Sequence, residues 1–196
     1  RVIQLAPSRA NAYAGRAEAL QALGRQDEAL ADCDRYVGSK PDDPTAAFIR
    51  IQVLLMAGRT EQYRQACKEI LARFGPSELP AACGHAARAC VLAPEAVPDP
   101  QIPVELATRA VARVPAHWSI YTLGMAHFRA GQLDQALDVL AHAGERQPGD
   151  PEILLALATF NRDAGRREQA LDYARRLQTV LPGNPSVDNL VRELGP

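Results

Sequence analysis

Cys83, His85 and Cys90 are the densest grouping of potential metal ligands in the chain. A zinc site gathers three or four nitrogen, sulfur or oxygen ligands at one point, and no further residue has spacing that would complete such a set. Cys83 and Cys90 lie seven residues apart, two turns along one predicted helix and too distant for an easy disulfide within it. Cys33 and Cys67 are 34 residues apart and read as small buried hydrophobes in equivalent positions. Free thiols are the expectation for all four, with a bridge between elements as the alternative. His117 and Ser119 are neighbours in sequence, whereas a nucleophile and its base must meet in space. Gly124 marks no nucleophile elbow. No Gly-rich phosphate loop, His-Glu-x-x-His pair or Cys-x-x-Cys pair occurs. Asp27, Asp134 and Glu168 fall where helices begin, so capping and the helix dipole account for them. The sequence therefore predicts no enzyme, no catalytic residue, no metal and no cofactor.

The elements that carry these residues recur in phase. Gly24 and Gly58, Gly131 and Gly165, Pro7 and Pro41, Pro148 and Pro182, and Ala136 and Ala170 are all 34 residues apart. A period of that length marks stacked helical hairpins, and each hairpin buries its apolar face on the next. The fold class expected is all-α, a right-handed superhelical solenoid of antiparallel hairpins. In the first repeat, 10–43, Tyr13, Ala17 and Leu20 share a helical face, Gly24 turns, Asp27 can cap the next helix, and Ala29, Cys33 and Tyr36 face inward. The second, 44–76, follows with Ala47, Ile51 and Leu54, then Tyr63, Cys67 and Ile70. Tyr63 stands where the other clear repeats have a small alanine, so the helix crossing must open or the ring must point aside.

Over 77–116 the phase slips. A helix starting at Ser77-Glu78-Leu79-Pro80 is predicted to end near Val91, and a second to run from about Pro103 to Val114. The proline-rich stretch Ala93–Gln101 between them is expected to project as a loop. The flanking helices are apolar enough to continue one stack, with a domain boundary as the competing reading. Repeats 117–150 and 151–184 restore the phase. Gly124 inside a helix implies close approach of a neighbour. A helix over 185–194 would cover the end of the stack. The segment 1–7 reads as the last turn and proline of a preceding repeat, so the chain is expected to begin inside a longer protein.

Charge is nearly balanced, with 22 basic and 23 acidic residues, which gives no nucleic-acid footprint. No apolar run approaches the length of a membrane span, so no direct membrane insertion is expected. Reduced thiols favour a cytoplasmic setting.

The pattern resembles the tetratricopeptide repeat family. The repeat at 117–150 answers it with Ile120, Leu123, Gly124, His127, Gly131, Ala136, Leu140, Ala143 and Pro148. The repeats at 10–43 and 151–184 answer with the equivalent positions, departing at Arg16 and Asn161 as this one does at His127. The resemblance implies a bacterial or other scaffold that binds a protein or peptide in a concave groove lined by the first helix of each hairpin. Carried over by register, the groove positions are Asn11, Ala14, Glu18 and Gln21; Thr45, Phe48, Gln52, Leu55 and Met56; Trp118, Tyr121, Met125, Phe128 and Arg129; and Glu152, Leu155, Thr159, Arg162 and Asp163. Ala14, Glu18 and Ile49 stand where some members hold a chaperone's terminal carboxylate with Lys and Asn, which speaks against that ligand. Self-association, or a spacer role in a larger protein, is the alternative. The stretch 63–100 is also similar to repeat regions attached to bacterial serine/threonine kinases, which would imply a regulatory segment of a signalling enzyme.

Overall fold

The computed structural model describes residues 10–195, so Pro7 and the expected end of a preceding repeat lie outside the described residues. Eleven helices follow one another among them, in two compact units that divide after Val114. The first unit holds α1 (Ala10–Ala22), α2 (Gln26–Ser39), α3 (Pro44–Met56), α4 (Thr60–Phe74), α5 (Pro80–Val91) and α6 (Gln101–Arg113). The second holds α7 (His117–Arg129), α8 (Leu133–Arg146), α9 (Pro151–Asp163), α10 (Arg167–Val180) and α11 (Pro185–Leu194). Consecutive helices pair as antiparallel hairpins, and within each unit the first helix of a hairpin packs on the hairpin before it.

One turn chemistry closes four of the hairpins. Gly24, Gly58, Gly131 and Gly165 take φ of 73, 67, 72 and 72°, a left-handed conformation that a side chain strains. The following N–H reaches back across the turn in each case, as Arg25 N–H to Leu20 O and Gln132 N–H to His127 O, both at 2.9 Å. This bond satisfies a carbonyl that the helix end would otherwise leave open. The residue after the glycine thus becomes the N-cap of the second helix: Arg25 holds that place before α2, without a side-chain cap. Asp27 therefore does not cap α2. It sits in the first turn, where the helix dipole favours it, and pairs with Arg59 at 2.9 Å; Asp134 pairs with Arg166 in the same way. Side-chain capping occurs instead at first helices. Asp43, Asp150 and Asn184 accept N–H groups of the turn they start, each followed by a proline, whose missing donor would go unused there.

Small residues sit where helices cross. Ala17, Ala29, Ala136, Ala158, Ala170 and Ala174 are fully buried, beside Leu54, Leu140, Leu157 and Leu177. A Cβ on Gly124 would lie 2.6 Å from Leu140 Cγ, so α8 is the close neighbour that this glycine admits. The departures from the repeat pattern each find a polar partner. Arg16 holds the carboxylate of Asp32, itself 1% exposed, which also meets Arg35 at 3.2 Å. His127 Nδ1 meets Gln132 Oε1 at 2.6 Å, and buried Asn161 donates to Leu157 O at 2.8 Å. Asp32 and Asn161, both buried, are thus satisfied rather than stranded.

The third hairpin, α5 with α6, stacks on α3 and α4 within the first unit. Tyr63 explains how. Its ring is 1% exposed, and its hydroxyl donates to Ala89 O at 2.9 Å while accepting from Ala93 N–H at 3.2 Å. The ring fits by reaching into the end of α5. The proline-rich connection does not project as expected. It folds back on α4 through that Tyr63 bond and an Arg64–Glu95 pair at 3.2 Å, burying Ala96. α6 starts two residues earlier than predicted, because Asp99 Oδ1 accepts Gln101 N–H at 2.9 Å. Pro103 then falls in the first turn, where it removes no helical bond. In the second unit, α11 packs on α10 and places Leu190 and Leu194 beside Ala158, Ala170 and Ala174.

Candidate functional site

The first helices of the hairpins carry the positions singled out in the sequence. In the first unit, α3 packs against α1 and α5. Lys40 donates to Asn11 at 2.7 Å, and Gln21 touches the Met56 sulfur. Ala14 is half-buried and Glu18 is exposed. Met56 is 64% exposed, with Gln52 and Leu55 half-buried beside it on α3. Phe48 is buried at 5% exposure. His85 meets its ring at 5.5 Å, and the Arg88 guanidinium lies 5.0 Å from the ring centre. Thr45 Oγ1 is 3.4 Å from His85 Nε2.

In the second unit, Trp118, Tyr121, Met125, Phe128 and Arg129 are half-buried along α7. Tyr121, Met125 and Phe128 lean on the core formed with Leu140, Ile153, Leu157 and Phe160. The Phe128 and Phe160 rings stack at 3.8 Å, with Arg129 5.7 Å from the Phe128 centre. Leu155 on α9 is 47% exposed. Arg162 reaches Asp163 at 3.1 Å and Glu193 at 3.7 Å, while Thr159 returns its hydroxyl to Leu155 O at 2.9 Å. Glu152 is exposed. The described geometry therefore gathers Phe48 with His85 and Arg88, and Tyr121, Met125 and Phe128 with the α8–α9 core.

His85 and Arg88 are the additions. His85 attracts attention in the sequence only as a metal ligand, and Arg88 not at all, because the phase slips over 77–116 and no register carries a groove position onto α5. Among the described residues, no group of three or more His, Cys, Asp and Glu is placed to hold a metal. All four cysteines are free and buried. Burial pushes the Cys33 thiol up to about 11, and the hydrogen bond with Cys67, with burial, holds Cys90 in its thiol form; a thiol so held is a poor nucleophile. No described helix is long and apolar enough to cross a membrane.

A second concavity of about 300 Å³ opens between α2, α3 and α4, over Ala47, Ile51, Ile70 and Phe74. Its rim arginines are already paired, Arg50 with Asp34 and Arg73 with Asp42, both at 2.6 Å.

Two tetratricopeptide repeat family models match the chain, over residues 1–44 and 117–160. Over those residues the chain matches the tetratricopeptide repeat pattern. The chain is similar to a thermophilic tetratricopeptide-repeat protein of Thermus thermophilus, with a TM-score of 0.72 at 20% identity over 94% of this chain and 98% of that one. It is also similar to YrrB, described as a tetratricopeptide-repeat protein with an unusual peptide-binding site, with a TM-score of 0.56 at 18% identity, covering 97% of this chain and 96% of that one. Both likenesses are of fold. Among curated proteins, a 59-residue stretch is 37% identical to the cellulose synthase operon protein C of Komagataeibacter xylinus. That stretch is 30% of this chain and only 4% of that protein. None of these proteins is a kinase by its description. Stacked repeats of this kind generally present extended concave surfaces for binding.

Proposed function

We propose that this chain is a non-catalytic module of a longer protein that binds a polypeptide segment along its first-helix walls. The observation that carries the reading is the set of accessible apolar side chains on the first helices of each unit. Met56 and Leu155 are 64% and 47% exposed, and half-buried Trp118, Tyr121 and Met125 lie along α7. Aromatic and Met side chains supply the anchors of interfaces, where a few residues carry most of the affinity. Arg162 on α9 is already held by Asp163 and Glu193. Relatives in fold include one described as peptide-binding, which fits this reading.

The test is capture of partners by the full-length parent protein, followed by Trp118→Ala and Tyr121→Ala in the captured complex. Each substitution is expected to weaken binding about tenfold or more while the helical content holds. Partners that bind these variants as tightly as the native chain would move the binding face elsewhere.

A further inference from the structure

Every arginine of the described first unit except Arg88 lies within ion-pair distance of an aspartate or glutamate. Arg88 instead covers the Phe48 ring, 5.0 Å from its centre. A cation over an aromatic face gains part of what it loses on leaving water, but the guanidinium keeps five N–H donors and the ring accepts none of them in the plane of the fork. His85 also meets the Phe48 ring, at 5.5 Å, and Thr45 Oγ1 stands 3.4 Å from His85 Nε2. The acid that acts on His85 is Asp43. Its carboxylate already accepts Thr45 N–H at 2.9 Å and the Tyr36 hydroxyl at 3.4 Å. The cluster is thus a half-buried cation on an aromatic base, with its charge unanswered by the first unit.

The same wall is apolar further on. From Phe48 to Leu55 and Met56 is two turns of α3, about 12 Å. An extended chain crosses that distance in about four residues. Resting on the polypeptide-binding reading above, we propose that Thr45, Phe48, His85 and Arg88 form a subsite for an acidic side chain of the bound segment. An apolar residue about four positions away in that segment then sits on Leu55 and Met56. One planar guanidinium matches one carboxylate through two parallel bonds. A nucleic acid, by contrast, needs several cations in a row, and the chain is near neutral with a net charge of −1.

The experiment selects short random peptides displayed on phage against the whole chain. Enriched sequences are resynthesised with blocked termini, so that only side-chain carboxylates remain. The expected consensus has an Asp or Glu about four residues from a large apolar residue. Arg88→Gln lowers affinity about tenfold, replacing the peptide acid by its amide does the same, and the two changes together lose no more than either alone. Arg88→Lys, which keeps the charge but not the fork, falls between. Should Arg88→Gln disturb Phe48 packing, the amide peptide on the native chain carries the test without altering the protein. Enriched peptides without an acid, or acidic peptides that bind Arg88→Gln and the native chain alike, overturn the subsite and leave polypeptide binding standing. Failure to enrich any peptide overturns both.

Discussion

Replacing Tyr63 by Phe deletes one oxygen and keeps the ring, which isolates the bond that ties the third hairpin to the second. The hydroxyl makes two hydrogen bonds, to Ala89 O at 2.9 Å and from Ala93 N–H at 3.2 Å. Each such bond contributes about 1 kcal/mol net, and a buried partner left unpaired costs about 1–3 kcal/mol. The two ends are unequal. Ala89 O is otherwise approached by the Cys67 thiol, at 3.7 Å, a weak donor. Ala93 is half-buried, so water can take over its N–H. The sum expected is about 2 kcal/mol, nearly all of it from the Ala89 end. Urea unfolding should lose that much at unchanged slope, since no surface is newly exposed. Amide exchange gives the local reading. With every 1.4 kcal/mol worth about tenfold, Ala93 and the connection Leu92–Pro100 should exchange about ten- to thirtyfold faster, while α1 and α2 change little. A loss below about 0.5 kcal/mol with unaltered exchange at Ala93 would show that ring packing alone seats the hairpin.

Four other outcomes follow from the same geometry. Gly124→Ala forces a Cβ to 2.6 Å from Leu140, so overpacking of about 1–3 kcal/mol should outweigh the helix propensity gained. At Gly144 the nearest side-chain atom is 3.5 Å away, and Gly144→Ala should instead stabilise by about 0.5–1 kcal/mol; equal signs in thermal unfolding would refute the contrast. Arg16→Leu, which restores the common repeat residue, leaves Asp32 buried with Arg35 alone and should destabilise by about 2 kcal/mol, whereas adding Asp32→Ala should recover most of it. A double variant no more stable than Arg16→Leu would remove Asp32 as the cause. Burial, and after it Arg88, holds His85 below its usual 6.5. The unfolded chain then takes up that proton first, so stability should decline as pH falls from about 6.5 towards the folded value and level off beneath it. His85→Gln should flatten that slope, and an unchanged slope would assign it to other groups. Gly131→Ala, at φ 72°, should destabilise by about 1–2 kcal/mol without loss of helix, as circular dichroism and thermal unfolding would show.

The hairpins were legible because their causes are local. A glycine at positive φ, a proline after an acidic cap and a 3.6-residue apolar stripe act within a turn or two of chain. A sequence displays those at fixed intervals, and Gly24, Gly58, Gly131 and Gly165 each close the turn their spacing implies. The face of Ala17, Leu20, Ala29 and Cys33 was readable for the same reason, since helical period alone sorts inside from outside. Asp27 was misplaced as a cap, because the bond that ends the first helix decides where the next one starts. What Tyr63, Asp32 and Arg88 touch could not be read. Tyr63 at an alanine position signals only a crowded crossing; that its hydroxyl finds Ala89 and Ala93 depends on where an out-of-phase hairpin comes to rest. Arg16 looked like a lost leucine until the fold set Asp32 beneath it. Arg88 is one arginine among many in sequence, and only side-chain packing shows which of them already hold a carboxylate. Local chemistry sets the repeat, and contacts between residues distant in the chain set which charges on its face are left to meet a partner.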